Sequence, residues 1–152
     1  VGGKMSEGIN FSDGLGRCVV VVGLPYPNSK DPVLKEKMNY INQKAQELNT
    51  KDVVKLISGS EYYENLCMKA VNQSIGRSIR HARDYASIVM IDHRYTRSSI
   101  VYKLPKWISS RLIKPDSSTN FGANFSRIAQ FFKTKKDNQF DIETKRRAQH
   151  MR

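Results

Sequence analysis

The sequence has little cysteine and no long apolar run, and each shortage excludes a class of protein. Cys18 and Cys67 are the only cysteines in 152 residues, which is too few for a disulfide framework and favours a reducing, intracellular setting. Neither belongs to a C-x-x-C pair, so we expect no metal site. No apolar stretch approaches the length of a membrane span, and no signal peptide opens the chain. We therefore expect no membrane contact.

Acidic residues are scarce in one part of the chain. Residues 77–114 hold nine Lys and Arg against two Asp and Glu, a net charge of +7, whereas residues 1–76 carry only +1. Residues 133–152 carry a further +4. A concentrated positive block favours contact with a phosphate polyanion, and we assign that role to residues 77–114. A solvated basic surface is the alternative, which we adopt for the tail.

Two β-branched runs, at residues 17–23 and 87–92, predict strands that are buried on both faces. Helical spacing lies between them, over about 32–48 and 61–81, and residues 49–60 read as a surface loop. Strands separated by helices predict a parallel α/β sheet. Two strands are too few for a complete doubly wound domain, so we expect the C-terminal half of one.

The octet at residues 73–80 reads Gln-Ser-Ile-Gly-Arg-Ser-Ile-Arg. On a helix, Gln73, Arg77 and Arg80 share a face. Gly76 allows close backbone approach, and an apolar stripe lies opposite, made of Met68, Val71, Ile75 and Ile79. Fixed guanidinium forks suit a polyphosphate whose charge grows during a reaction. An ordinary solvated helix face is the alternative.

A second polar motif, Ser-Glu-Gly-Ile-Asn-Phe-Ser-Asp, occupies residues 6–13. It follows residues 1–5, which could end a preceding strand. Polar loops at the carboxyl end of a parallel strand are where α/β folds place ligands. The alternative is a Gly-Asp turn that leads into a strand.

Together these segments resemble the XPD-like superfamily 2 helicases. Residues 6–13 and the Gly-Arg-Cys-Val-Val-Val-Val-Gly-Leu-Pro-Tyr-Pro-Asn that follows are similar to motif V and its strand, and residues 73–80 are similar to motif VI. Asp-His-Arg-Tyr at 92–95 and Leu-Pro-Lys-Trp-Ile at 104–108 resemble the segments after motif VI. Residues 64–73 resemble the ChlR-type DNA helicases; they read Glu-Asn-Leu-Cys-Met-Lys-Ala-Val-Asn-Gln. The resemblance covers about residues 1–132.

The resemblance implies the C-terminal part of a RecA-like P-loop NTPase helicase domain, an α/β fold with a parallel sheet flanked by helices and a C-terminal helical extension. Residues 1–114 would form half of the second motor domain, residues 115–134 a docking helix, and residues 135–152 a flexible basic tail. The chain has no G-x-x-x-x-G-K-[ST] loop, no Asp-Glu-Ala-His box and no cysteine cluster. By resemblance all three belong to the first motor domain, upstream.

The implied activity is that of an ATP-dependent DNA helicase of the nucleus. Such an enzyme couples ATP hydrolysis to single-strand translocation and duplex unwinding in DNA repair, replication and chromosome cohesion. ATP and Mg²⁺ would bind between two RecA-like domains, and a 4Fe–4S cluster is expected elsewhere in the polypeptide. The implied partners are single-stranded and forked DNA and the first motor domain of the same polypeptide.

The resemblance also implies residue roles. Arg80 would be the finger that stabilises the transferring phosphoryl group, Arg77 would bind the same phosphate, and Gln73 would bind the phosphate or the attacking water. Nucleotide binding would further use Glu7, Gly8, Asn10 and Gly76. DNA phosphates would be contacted by Ser6, Arg83, Arg94 and Arg97.

Two other interpretations stay open at this point. One is a truncated, non-catalytic nucleic-acid-binding module derived from such a helicase. The other is a flavodoxin-like or methyltransferase fragment, which fits the α/β pattern but explains neither the paired arginines nor the missing glycine-rich cofactor loop.

Overall fold

A computed structural model describes residues 16–48, 56–79, 84–114 and 120–150, with side chains in the last range as far as Lys136. The chain divides into two compact units, Val1–Leu112 and Ile113–Arg152. The elements of the first unit are β1 (Cys18–Val22), α1 (Pro32–Leu48), α2 (Gly59–Ile75), β2 (Ser87–Ile91), a 3-10 helix (His93–Thr96), α3 (Ser98–Tyr102) and α4 (Lys106–Ser109). The second unit holds α5 (Phe121–His150).

The strands β1 and β2 pair in parallel, with Cys18 opposite Ser87 and Val22 opposite Ile91. The predicted parallel α/β arrangement is therefore confirmed. The prediction that both faces are buried is wrong for this chain, because Val20 is 53% exposed, Val22 76% and Ile91 54%. Side chains alternate along a strand, so only the face that packs on α2 is covered.

The sequence starts α1 sharply. The carboxylate of Asp31 accepts hydrogen bonds from the backbone nitrogens of Val33 (2.9 Å) and Leu34 (3.4 Å), which caps the first turn. Pro32 occupies the first helical position, where its missing N–H costs nothing. Leu34 is buried, with Met38 and Ile41 half-buried on the same stripe. The predicted bounds of this helix, about 32–48, are confirmed.

The helix α2 begins earlier and ends earlier than predicted. It starts at Gly59 because the hydroxyl of Ser58 accepts a hydrogen bond from the backbone nitrogen of Glu61 at 3.1 Å. It ends at Ile75, where Ser78 donates from both its backbone nitrogen (3.3 Å) and its hydroxyl (2.9 Å) to the Ile75 carbonyl. That carbonyl would serve Ile79 in a continued helix, so the serine competes with the helix and stops it.

The core lies between α2, the sheet and the short helices after β2. Within it Cys67, Val71 and Ile75 are 0% exposed and Met68 is 2% exposed, which confirms the predicted apolar stripe as far as Ile75. The other members of the buried cluster are Val21, Leu24, Tyr95, Ile100, Leu104 and Ile108.

The second unit is a single long helix in the described residues. A docking helix was predicted at residues 115–134, followed by a flexible tail at 135–152, whereas α5 runs from Phe121 to His150. Its sequence contains no proline, and its one glycine is Gly122 in the first turn, so no residue breaks it. No helix in the described part of the chain is long and apolar enough to cross a membrane.

Candidate functional site

The octet begins in the last turn of α2 and continues past the end of that helix. Gln73 lies exposed in the last turn, Gly76 caps the helix with an ordinary φ of −65°, and Arg77 lies half-buried in the turn beyond. The backbone nitrogen of Arg77 bonds the Ser74 carbonyl at 3.4 Å, a three-residue turn. The helix therefore ends before Arg77, and the common face of Gln73 and Arg77 stays a prediction. The rest of that prediction concerns Arg80, which lies outside the described residues, as does Arg83.

Gly76 lies close to the carbonyls of the last turn of α2. A methyl group built there would lie 3.2 Å from the Asn72 carbonyl and 3.8 Å from the Gln73 carbonyl. The Asn72 carbonyl would have to shift by a few tenths of an ångström to admit a side chain. Close approach of a ligand to the Gly76 backbone stays a prediction.

An open cleft of about 610 Å³ runs along α2 beside Gln73. It is lined by Asn65, Met68, Lys69, Asn72, Gln73 and Lys103. The amide nitrogen of Asn72 donates to the Lys103 carbonyl at 3.1 Å, whereas its buried oxygen has no partner in the described structure. Lys103 pairs with Glu64 at 2.7 Å, so Lys69 supplies the exposed positive charge of this cleft. Gln73 thus lies at a polar, accessible wall of α2.

Arg94 is held by Asp92, at the carboxyl end of β2. The Asp92 carboxylate accepts from the Arg94 backbone nitrogen (2.8 Å), from Nε (2.9 Å) and from Nη2 (2.7 Å). These hydrogen bonds hold the pKa of Asp92 well below its usual range and raise the pKa of Arg94. Since two of its three guanidinium nitrogens are engaged, Arg94 keeps Nη1 for a further ligand such as the predicted DNA phosphate.

Three tyrosines surround this ion pair and hold the loop that follows β1. The Arg94 guanidinium lies 5.5 Å from the Tyr26 ring, and Tyr26 stacks on Tyr63 with the ring centroids 5.0 Å apart. Tyr95 donates from its hydroxyl to the Gly23 carbonyl at 3.1 Å, and burial raises the pKa of Tyr95 to about 12. Gly23 has a φ of +76°, which favours glycine there. The carboxyl edge of the sheet is thus a rigid, preformed surface.

Arg97 differs from Arg94 in being free to meet a ligand. It lies exposed between the 3-10 helix and α3, where its backbone nitrogen bonds the Arg94 carbonyl at 3.1 Å. In the described ranges its guanidinium forms no ion pair. An exposed, unpaired guanidinium suits the predicted backbone phosphate contact.

Sequence reasoning missed an ion pair between Arg17, before β1, and Asp84, before β2. The Asp84 side chain is 0% exposed and its carboxylate accepts from Arg17, which also donates to the Tyr85 carbonyl at 2.9 Å and lies 4.0 Å from the Tyr85 ring. Asp84 follows the octet by four positions. No local signal points to a contact 67 positions apart. A buried acid in a basic block was the one available hint.

Neither cysteine resembles a metal ligand. Cys67 is buried in the core, where desolvation raises its pKa to about 11, and Cys18 is exposed and free. Across residues 16–48, 56–79 and 84–114 and the described part of α5, no group of three or more His, Cys, Asp or Glu side chains could hold a metal ion. These residues therefore do not fit an iron–sulfur cluster. The candidates of the first motif, Ser6, Glu7, Gly8 and Asn10, lie outside the described residues.

Comparison with known proteins decides the family. The model of the helicase C-terminal domain family matches residues 1–111, which include the first motif, the octet and both strands. The chain belongs to the helicase C-terminal domain family. This confirms the predicted fold class and the resemblance on which it rested.

Close relatives of this helicase C-terminal domain are similar over almost its whole length. It is 56% identical over 135 residues to the ATP-dependent DNA helicase DDX11 of Mus musculus, which covers 89% of this chain and 14% of that protein. It is 53% identical over 138 residues to the ATP-dependent DNA helicase chl1 of Schizosaccharomyces pombe, covering 90% and 15% respectively. The chain thus spans about a seventh of the length of these relatives, and the ChlR-type resemblance is confirmed.

Proposed function

We propose that this chain forms the C-terminal part of the second motor domain of an ATP-dependent DNA helicase acting in genome maintenance. The observation that carries the proposal is the identity of 52–56% to three vertebrate and yeast proteins that are named ATP-dependent DNA helicases. The net charge of +7 on residues 77–114 supports a polyanionic substrate. Placement in the nucleus belongs to the same proposal.

In the proposed enzyme, ATP and Mg²⁺ bind between this domain and the first motor domain of the same polypeptide. ATP supplies the phosphoryl group whose transfer to water drives movement. Arg80 and Arg77 balance the negative charge that grows on that group, and Gln73 hydrogen-bonds it or the attacking water. The backbone of Gly76 approaches the nucleotide, and Glu7, Gly8 and Asn10 complete this side of the site. Arginine fingers contribute about 10³- to 10⁵-fold in related NTPases.

DNA, single-stranded or forked, is the proposed substrate of the same enzyme. Arg97 is exposed and unpaired in the described structure, and Arg94 has one guanidinium nitrogen left for a phosphate. Ser6 and Arg83 are the other proposed contacts. Contacts to phosphate ignore base sequence, as a translocating enzyme requires. The 4Fe–4S cluster would be held outside this chain, and no step proposed here uses it.

The proposal is tested by replacing Arg80 in a polypeptide that also carries the first motor domain. Arg80→Ala is expected to lower DNA-stimulated ATP hydrolysis by at least 10³-fold while much of the nucleotide binding is kept. Lys30→Ala, at an exposed turn before α1, is the control and keeps normal turnover. Near-normal hydrolysis by Arg80→Ala would remove the assignment.

A second candidate is a non-catalytic module that binds nucleic acid through the same basic block. The net charge of +7 on residues 77–114 suits nucleic-acid binding that needs no hydrolysis. ATP hydrolysis restored when the first motor domain is supplied supports the helicase. Salt-dependent DNA binding that the first motor domain never converts into hydrolysis supports the module.

A further inference from the structure

The segment from the 3-10 helix to the end of α4 presents exposed aromatic rings among positive charges. Residues 93–112 contain five Lys and Arg and no Asp or Glu. Within them Tyr102 is 89% exposed and Trp107 42% exposed, although both are large apolar side chains. In space Tyr102 lines a groove with Lys103 and with Glu61 and Glu64 of α2, and Lys103 pairs with Glu64 at 2.7 Å.

The backbone beneath these rings is firmly anchored. Ile100, Leu104 and Ile108 recur every four residues and are 1%, 4% and 6% exposed. Their burial fixes α3 and α4 on the core, while Tyr102, Lys106 and Trp107 between them are exposed. Tyr102 ends α3 and Trp107 is the second residue of α4, five positions on, which places them within about 17 Å of each other by chain length alone. These two rings, which we call the platform, are therefore carried on an anchored backbone.

Cations that form no ion pair in the described residues lie close to the platform along the chain. Lys103 is paired with Glu64 and Arg94 with Asp92, but Arg97, Lys106 and Arg111 are exposed and form no ion pair in the part of the chain that the structure describes. Aromatic rings that stack with bases, next to Lys and Arg that contact the backbone, are how proteins bind single strands without reading sequence. A neutral protein surface would need the rings but not the uncompensated charge.

We propose that Tyr102 and Trp107 stack with bases of single-stranded DNA while Lys106 and Arg111 contact its phosphates. The inference rests on the proposed function, whose substrate is DNA, and it names a surface that the octet and the first motif do not include. The rings stack with bases, whereas the arginines of the octet contact nucleotide phosphates and provide no stacking. The site thus holds the strand independently of ATP.

Trp107 is the only tryptophan in the chain, so its fluorescence reports this site alone. The 152-residue chain is titrated with oligo(dT) in the absence of ATP. Binding should quench the Trp107 emission and should weaken as salt rises. Inorganic polyphosphate should bind without quenching, because it has no bases. Equal quenching by polyphosphate, or saturable oligo(dT) binding without quenching, would overturn the proposal.

Matched variants separate stacking from charge. Tyr102→Ala should weaken oligo(dT) binding about tenfold, since stacking on one aromatic ring contributes roughly 1–3 kcal/mol, and Tyr102→Phe should bind normally. Lys106→Gln with Arg111→Gln should lower the slope of log affinity against log salt by about 1.4. Tyr40→Ala, which removes a tyrosine that is 57% exposed on α1, is the control and should leave binding unchanged.

The opposing outcome is a protein partner on the same surface. If Tyr102→Ala binds oligo(dT) like the unmodified chain but weakens association with the first motor domain, the platform is a protein interface and the proposal fails. This result is independent of the hydrolysis test. If the Arg80 assignment fails, the oligo(dT) measurements still test the platform. If the platform fails, the hydrolysis test of Arg80 is unaffected.

Discussion

Asp92 accepts three hydrogen bonds from one residue, Arg94, at 2.7–2.9 Å. The carboxylate is therefore committed to a partner two positions away, and the pair closes the carboxyl end of β2. The exposed stretch that follows, from the 3-10 helix to α4, starts from this fixed point. Arg94 thus serves the fold first and has one guanidinium nitrogen left for a ligand.

The stability that Asp92 contributes should depend on pH in one direction. Its pKa in the folded chain is depressed, and an unfolded Asp titrates near about 3.9. The contribution is therefore present above that value and is lost as pH falls from about 4 toward the folded pKa. Thermal unfolding of the unmodified chain and of Asp92→Asn should differ by a constant amount from about pH 5 to 8 and converge below about pH 4. A difference that grows on acidification would contradict the ion pair.

Breaking the Arg17–Asp84 pair should be costly, because the acid is 0% exposed. Arg17→Met removes the guanidinium from a buried carboxylate that still accepts from the Tyr85 backbone nitrogen at 3.0 Å, and should destabilise by roughly 1–3 kcal/mol. Lys30→Met, at an exposed position, is the matched control and should change the free energy of unfolding by less than about 0.5 kcal/mol. Urea denaturation of the chain measures both. Equal midpoints for the two variants would mean that the pair does not stabilise the fold.

Gly59 should not tolerate a side chain. A Cβ there would lie 2.6 Å from the Met38 backbone carbonyl, where α2 begins against α1, and its nitrogen already bonds the Asn42 side chain at 2.7 Å. Gly59→Ala must push the helices apart and should destabilise by roughly 1–3 kcal/mol. Gly122→Ala, with its nearest neighbour at 3.4 Å, serves as the comparison in the same denaturation assay and should show no loss.

The two cysteines should react very differently. Cys18 is exposed, whereas Cys67 is buried with its pKa raised to about 11, so it has almost no thiolate at neutral pH. Ellman's reagent should titrate one thiol in the native chain and two in guanidinium chloride, and Cys18→Ser should abolish the fast phase. Because an unfolded thiol titrates near about 8.5, stability should also fall as pH rises from about 8.5 toward 11. If two thiols react rapidly in the native chain, Cys67 is accessible to the reagent and the core is not closed around it.

Local patterns predicted the elements whose causes are local. The helix α1 was predicted with its bounds because Asp31 and Pro32 start it and Leu34 begins a regular stripe. The end of α2 was missed because its apolar spacing runs on to Ile79, while one serine hydroxyl at position 78 redirects the Ile75 carbonyl. Whether a serine hydroxyl competes with the helix for a carbonyl depends on the rotamer of that serine, which the residue pattern does not reveal.

The spacing of apolar residues along the sequence could not predict contacts between distant segments. The strands read as buried on both faces because their residues are all apolar, yet the exposure of Val20 and Val22 depends on what covers them in space. The resemblance to motif VI identified the octet, and comparison with relatives confirmed the family. Neither showed that Gln73 lies in a helix and Arg77 in the turn after it.

The parallel pairing of β1 with β2 sets the order in which this domain can assemble. Each end of the pair is closed by a long-range contact, Arg17 with Asp84 across 67 positions and Tyr95 with Gly23 across 72. At about 5–20 residues per second of synthesis, the first strand waits roughly 3–15 s for its partner to be made. The helices α1 and α2 can form in that interval from local contacts, whereas the sheet cannot. The newborn chain therefore passes through a stage in which Val19 to Val22 cannot yet pair with β2, and the apolar edge they would offer to β2 is then open to aggregation.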